Sequence, residues 1–152
     1  LKSVKHSVFG VDFYDVIQIT ESQSEPGRTT LPGWWKCNVN FRFAPVRNVS
    51  QAIEELFSLL NQQGIKSEQI QIRDQVAAGS VIETDLFRLL IQQLNRPIQA
   101  KQAWTDVAQL TAQGISAFNF GPGLTSQAHQ KDEFLRRDYL ETYYHLLEEI
   151  LL

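Results

Sequence analysis

His129 is the residue of this chain best placed to do chemistry. It follows a predicted buried strand at 115–120 and a Gly-Pro-Gly corner at 121–123, and Asp132 and Glu133 come shortly after it. A strand followed by a glycine loop presents a side chain at the edge of a sheet, and neutral imidazole is a preferred zinc ligand. A plain surface-loop histidine is the competing interpretation, and the residues alone leave both open.

The other metal-binding residue types do not complete a site with His129. A zinc site needs three or four ligands. The remaining candidates are His6 near the start of the chain, His145 within a predicted helix and the single Cys37, which is predicted to be a small core residue on an apolar strand face. The sequence contains no second set of ligands at short spacing, no Gly-x-Ser-x-Gly motif and no P-loop.

Five further residues could contact a substrate. Arg42 lies on the polar face of a predicted strand, where its guanidinium is either solvated, paired across the sheet, or free to bind a carboxylate through two hydrogen bonds. Thr105 and Asp106 open a predicted helix, where Asp106 either favours the helix N-terminus or faces a ligand. Gly121 and Gly123 form either a simple turn or a cradle of backbone amides for an anion.

Composition excludes several classes of protein. The chain has 152 residues, a net charge of −3, 43% hydrophobic and 20% charged residues, which are ordinary values for a globular protein. Its 14 basic residues are scattered, which argues against a nucleic-acid surface. No apolar run is long enough to span a membrane. The single cysteine and the absence of a visible signal peptide predict a reducing, cytoplasmic location.

The first half of the chain predicts the order strand, strand, helix, strand. Alternation predicts strands at 11–19 and 35–43, and a third at 70–76, while Asn48 and Gln51 predict a capped helix that ends near Gly64. The second half predicts a helix after a Ser80–Glu83 capping box, a short strand at 98–101, a helix at 104–113, the strand at 115–120 and a final helix at 134–151. Ala77 to Gly79 form the predicted boundary, which gives domains 1–77 and 78–152.

Two stretches resemble a known family of enzymes. Residues 104–133 read WTDVA, then GISAFNFGPG, then AHQKDE, and residues 38–45 read NVNFRFAP. These are similar to the W-T-D-V-A, G-I-P-A-x-N-F-G-P-G, A-H-x-x-D-E and N-Y-R-F-A-P patterns of the dinuclear zinc hydrolases that include succinyl-diaminopimelate desuccinylase, acetylornithine deacetylase and aminoacylases. The resemblance covers most of the chain and corresponds to the C-terminal portion of that family.

The resemblance implies a fold and a set of roles. It implies an α/β (α+β) chain in which a partial ferredoxin-like lid unit precedes the C-terminal α/β part of a zinc-peptidase-like catalytic domain. It implies that His129 binds one of two zinc ions, that Arg42 meets the substrate carboxylate, and that Thr105, Asp106, Gly121 and Gly123 lie near the substrate. The implied reaction is hydrolysis of an N-acyl amino acid, with no catalytic base within this chain.

The resemblance also implies partners for this chain. One position departs from the family pattern and leaves an alternative function open. The remaining zinc ligands would come from a missing N-terminal half or a second chain, and the enzyme would be a homodimer acting on a small N-acyl amino acid, without nucleic acid or membrane. Thr29 stands where relatives usually have asparagine. The alternative is therefore a non-catalytic association or ligand-binding module that keeps the fold without the metal site.

Overall fold

The computed structural model describes residues 4–27, 29–101 and 103–152. Its elements, in chain order, are strands β1 (Lys5–Val8), β2 (Val11–Tyr14), β3 (Val16–Ser24) and β4 (Trp35–Arg42), followed by helices α1 (Val49–Gln62), α2 (Asp85–Leu94), α3 (Val107–Ala112) and α4 (Arg137–Leu151), with single 3₁₀ turns at Ser67–Gln69 and Thr125–Gln127. The predicted α+β class is confirmed at this level. Among the described residues, no helix is both long enough and apolar enough to cross a bilayer.

The strands form two antiparallel hairpins. β1 pairs with β2 through a two-residue turn in which Phe9 and Gly10 both have positive φ, as a tight hairpin requires. β3 pairs with β4, from Val16 opposite Arg42 to Ser24 opposite Trp35, with a register shift between Ile19 and Glu21. The prediction of one strand over 11–19 is wrong, because the chain breaks between β2 and β3 at a buried aspartate, Asp15.

Local signals predicted β4 and α1 well. Alternate residues of β4 are half-buried on one face, at Cys37, Val39 and Phe41. The side chain of Asn48 accepts a hydrogen bond from the Gln51 backbone while the Gln51 side chain accepts one from the Asn48 backbone, so the predicted capping box is confirmed. The predicted helix end is also confirmed, since Gly64 adopts φ +84°.

Three predicted strands are wrong as paired strands. Residues 70–76, 98–101 and 115–120 belong to no helix or strand. A strand exists through hydrogen bonds to a neighbouring strand, and the two sheets in the described part of the chain contain only β1 with β2 and β3 with β4. The second half therefore carries its helices without the sheet that an α/β layer would need.

Three predicted helix starts are also wrong. α3 begins at Val107 rather than at Trp104. α2 begins after Thr84, whose hydroxyl accepts from the Phe87 backbone at 3.1 Å, rather than after a Ser80–Glu83 box. Its predicted stop is confirmed by Asn95 in the left-handed conformation. α4 begins at Arg137, three residues later than predicted.

The buried core is small. In the described part of the chain the buried apolar residues are Val11, Ala44, Ala52, Leu94 and Ala108, and no large side chain is fully buried. α2 packs against α4, and Gly79 lies beside α3, where an added Cβ would be in ordinary contact with the Ala108 backbone nitrogen at 3.5 Å. The division into domains 1–77 and 78–152 stays a prediction.

Candidate functional site

The start of α3 and the Gly-Pro-Gly corner adjoin each other. The side-chain amide of Asn119 donates to the hydroxyl of Thr105 at 3.1 Å, and Asn119 lies two residues before Gly121. This bond holds the turn before α3 next to the corner. The structure therefore brings together two of the three segments that the sequence nominated, and it identifies Asn119 as a linking residue that sequence reasoning missed.

The corner rests on α4. The Tyr143 hydroxyl donates to the carbonyl oxygen of Phe120 at 3.4 Å, and the two rings lie 5.0 Å apart. Gly123 adopts φ +98°, and an added Cβ would meet the Leu135 side chain at 3.2 Å. Both the backbone conformation and this contact favour glycine at position 123, whereas Gly121 is exposed with open space around it.

His129 is presented on the surface by an unusual backbone conformation. Its φ is +63°, a left-handed value that few non-glycine residues adopt, although histidine does so more often than most. Its backbone N–H donates to Glu133 Oε2 at 2.9 Å, which closes the loop. The imidazole itself is exposed. Strained residues of this kind concentrate at functional sites, and the loop leaves the imidazole free to act.

The described residues do not fit a complete zinc site. They contain no group of three or more His, Cys, Asp or Glu side chains able to hold a metal ion. His145 pairs with Glu148 on α4 at 3.1 Å, and His6 lies in β1 beside Asp15. His129 can therefore supply one ligand at most, and any further ligands would have to come from outside this part of the chain.

Asp106 and Arg42 are both exposed. Asp106 occupies the N-cap position of α3, but its side chain makes no capping hydrogen bond, which leaves its carboxylate available to a ligand. Arg42 lies at the end of β4, and among the described residues no ion pair or side-chain hydrogen bond holds its guanidinium. No hydrogen bond or ion pair in the described part of the chain joins Arg42 to the His129 loop, so the site as predicted is assembled only in part.

The most buried charged cluster of the first half was missed in the sequence. Asp15 accepts from the Ala44 backbone at 2.8 Å, from Arg47 Nη2 at 2.9 Å and from His6 Nε2 at 2.8 Å. Arg47 Nη1 also lies 2.7 Å from Glu55 on α1. An aspartate that interrupts an apolar alternation is the signal that could have found it, because a buried carboxylate requires partners.

The cluster also brings His6 and Arg47 together. Arg47 Nη2 lies 3.0 Å from His6 Nε2. Both nitrogens converge on Oδ2 of Asp15, at 2.9 Å and 2.8 Å respectively.

These donors outweigh burial in setting the acidity of Asp15. Desolvation by burial alone would raise the pKa of the Asp15 carboxyl, but hydrogen bonds from Ala44, His6 and Arg47 and the charge of Arg47 favour its ionised form, and the net pKa lies below the ordinary value. The cluster ties the two hairpins to the start of α1. We therefore interpret the cluster as a structural support for β4, the strand that carries Arg42.

Comparison with known proteins finds partial similarity to one kind of enzyme. The chain is 33% identical over 136 residues to the succinyl-diaminopimelate desuccinylase of Corynebacterium glutamicum, a match that covers 87% of this chain and 36% of that protein. It is 31% identical over 105 residues to Mycobacterium tuberculosis proteins assigned the same activity, covering 68% of this chain and 28% of theirs. No protein-family profile matches the chain.

The match covers only part of each related protein. The chain spans about a third of the length of the curated relatives it matches. Within that span the similarity covers most of this chain, including residues from both of its halves, since 87% of 152 residues cannot lie within either half alone. On this similarity the chain is homologous to part of the length of succinyl-diaminopimelate desuccinylases.

Proposed function

We propose that this chain forms part of a zinc-dependent amide hydrolase that removes the succinyl group from an N-succinyl amino acid. The observation that carries the proposal is the match of 87% of the chain to a desuccinylase. The reaction adds water across the amide: the bond between the acyl carbon and nitrogen breaks, the acyl carbon gains the water oxygen, and the amine leaves with a proton.

In this proposal Arg42 binds a carboxylate of the substrate. An exposed guanidinium at a strand end, without an ion-pair partner among the described residues, can offer two parallel N–H donors to a carboxylate. A succinyl amino acid carries carboxylates on both sides of its amide, so it suits such a group. β4 would then belong to a ferredoxin-like lid that closes over the substrate, in a homodimeric enzyme.

The assembled corner provides the second part of the proposed site. Thr105, Asp106, Gly121 and Gly123 lie around the Asn119 to Thr105 hydrogen bond, where backbone amides and one free carboxylate can orient a polar substrate. His129, six residues beyond Gly123, would contribute one zinc ligand. Because the described residues do not complete a zinc site, the catalytic steps at the metal are not assigned to this chain.

A chimeric enzyme tests the proposal. The aligned segment of the Corynebacterium glutamicum desuccinylase is replaced by this chain, and hydrolysis of N-succinyl-diaminopimelate and zinc content are both measured. We expect an active, zinc-loaded chimera in which His129→Ala lowers both activity and zinc content. The matched control is His145→Ala, which removes another exposed imidazole, one that is paired with Glu148.

A second candidate is a non-catalytic module that keeps the fold. The described residues hold no group of three metal-binding side chains, and Thr29 replaces the usual asparagine. A folded chimera that binds no more zinc than its His129→Ala variant, and hydrolyses no substrate, would contradict the hydrolase and favour this module.

A further inference from the structure

His129 occupies the third position of a tight β-turn. The turn runs from Gln127 to Gln130, and the Gln130 backbone N–H donates to the Gln127 carbonyl oxygen at 3.2 Å. Ala128, the second residue, has φ −59° and ψ 129°, and His129 has φ +63°. These angles define a type II turn, whose third residue must have a positive φ.

Histidine is an unusual residue at this position. Glycine, or less often asparagine, takes the third position of a type II turn, because a Cβ crowds the backbone at positive φ. A type I turn would close the same four residues with His129 at a φ of about −90°, which histidine adopts without strain. The type II form must therefore be favoured by a contact outside the side chain of His129.

The two turn types differ in the orientation of one peptide group. Rotation of the central peptide, between Ala128 and His129, converts a type II turn into a type I turn and leaves both ends of the turn in place. The N–H of His129 belongs to this peptide, so it points to opposite sides of the turn in the two forms. A hydrogen-bond acceptor on one side can therefore select between them.

The carboxylate of Glu133 is such an acceptor. The His129 N–H donates to Glu133 Oε2 at 2.9 Å, the length of a good hydrogen bond to an ionised group. A following turn places the carboxylate there, since the Glu133 N–H donates to the Gln130 carbonyl oxygen at 3.2 Å and folds the chain back towards His129. In a type I turn the His129 N–H would point away from Glu133, and this bond would be lost.

We propose that Glu133 is a positioning residue that holds the Ala128–His129 peptide in the type II orientation and thereby fixes the direction of the His129 imidazole. The imidazole is exposed, and among the described residues no hydrogen bond or ion pair holds it. Its direction is therefore set by the backbone, where φ of His129 differs by about 150° between the two turns. This role does not depend on what the imidazole binds, whereas its consequence for hydrolysis rests on the proposed function.

Nuclear magnetic resonance of the isolated chain gives the first test. At ψ 129° the Hα of Ala128 lies close to the His129 N–H, and at the type I value of about −30° it lies farther away. We expect a strong Overhauser effect between these protons in the wild type and in Glu133→Gln, whose amide oxygen still accepts. In Glu133→Ala it should be about 5-fold weaker or more. An effect equally strong in Glu133→Ala would overturn the proposal.

Two further variants separate selection of the turn from general damage to the loop. Asp132→Ala removes the neighbouring exposed carboxylate and should leave the Overhauser effect unchanged. Because glycine tolerates a positive φ, the double variant His129→Gly with Glu133→Ala should recover the strong effect between Ala128 and position 129. Failure to recover it would mean that Glu133→Ala disorders the loop as a whole, which would refute selection between two turns.

The chimera described above extends the test to activity. With the proposed function correct, Glu133→Ala should lower kcat by about 10-fold or more, and Glu133→Gln should keep most of it. An active chimera in which Glu133→Ala keeps its full kcat would refute the positioning role. An inactive chimera, together with a turn that responds to Glu133 as expected, would refute the proposed function and leave the assignment of Glu133 standing.

Discussion

Asp15 and Ala44 are joined by a hydrogen bond of 2.8 Å from the Ala44 backbone to the Asp15 carboxylate, across 29 positions of the chain. Asp15 separates the two hairpins, and Ala44 follows the strand that carries Arg42. The same carboxylate binds Arg47, which reaches α1 through Glu55. One buried charge therefore fixes the strand end that presents the proposed carboxylate-binding arginine.

Asp15→Asn should destabilise the chain by about 2 kcal/mol at pH 7, because it removes the buried carboxylate that accepts from Arg47 Nη2 and leaves only Glu55 paired with that guanidinium. The pH dependence should change as well. The folded pKa of Asp15 lies below the unfolded value of about 3.9, so its stabilisation is present above that value and is lost as pH falls through the folded pKa. Urea unfolding of the wild type should weaken below about pH 4, and the variant should lose this part of the slope.

The control for this prediction is Asp138→Asn. Asp138 also has a lowered pKa, caused first by its hydrogen bond from Arg136, but both side chains are exposed. Its loss should hardly change stability at any pH. If the two variants had the same urea midpoints and the same pH profile, the buried cluster would not support the fold as argued.

His129→Gly should stabilise the isolated chain by about 1 kcal/mol, because glycine adopts φ +63° without the Cβ clash that histidine has. His129→Ala keeps the Cβ and serves as the matched control, for which no gain is expected. Urea unfolding of the three proteins measures the effect. In the chimera both variants should lose zinc. A role as a zinc ligand would then explain why position 129 is a histidine although glycine would make the chain more stable. Equal stability of the glycine and alanine variants would show that the loop is not strained.

Asn119 and Thr105 should be energetically coupled. The single variants Asn119→Ala and Thr105→Val and the double variant define a cycle, in which we expect a coupling of about 0.5 kcal/mol, small because the bond is exposed. Loss of the bond should also speed amide exchange at Gly121 and Gly123. A coupling of zero with unchanged exchange would mean that the corner and the start of α3 are held together by other contacts.

Sequence patterns predicted those elements whose signals are local. The Asn48–Gln51 capping box and Gly64 define α1 within a few residues of chain, and the alternation of β4 is complete within eight. Residues 70–76 and 115–120 carry equally good strand patterns but form no strand. A strand is made by its neighbour, and for these segments the described chain provides none. In these two segments the alternating pattern indicates a strand that would form if a neighbouring strand were present.

The parts of the candidate site that depend on local sequence could be predicted, and the parts that depend on distant contacts could not. The Gly-Pro-Gly corner and the turn at Thr105 could be identified from their residues, and the structure joins them. The Asp15 cluster could not be predicted in full, because its members are separated by up to 41 positions and their meeting depends on how both hairpins pack. His129 could be nominated, but the described residues form no group of three metal-binding side chains, so its role as a zinc ligand stays a prediction.

Arg42→Ala in the chimera should raise KM more than it lowers kcat. The guanidinium lies on β4, the proposed lid strand, where it would meet a carboxylate that the substrate already carries before reaction. An interaction made equally in the ground state and the transition state contributes to binding and not to the chemical step. Losing a charge-assisted bidentate contact removes about 2 kcal/mol of binding, or about 30-fold in KM.

Arg42→Lys distinguishes the effect of the two-hydrogen-bond fork from the effect of the positive charge. Lysine keeps the positive charge but cannot form two parallel hydrogen bonds to one carboxylate. If the fork matters, the lysine variant should bind substrate nearly as weakly as the alanine variant, and if only charge matters it should resemble the wild type. Arg73→Ala provides a control, since Arg73 is another exposed arginine in the first half of the chain. A fall in kcat with unchanged KM for Arg42→Ala would contradict a ground-state role, and would place this arginine instead at charge that develops during the reaction.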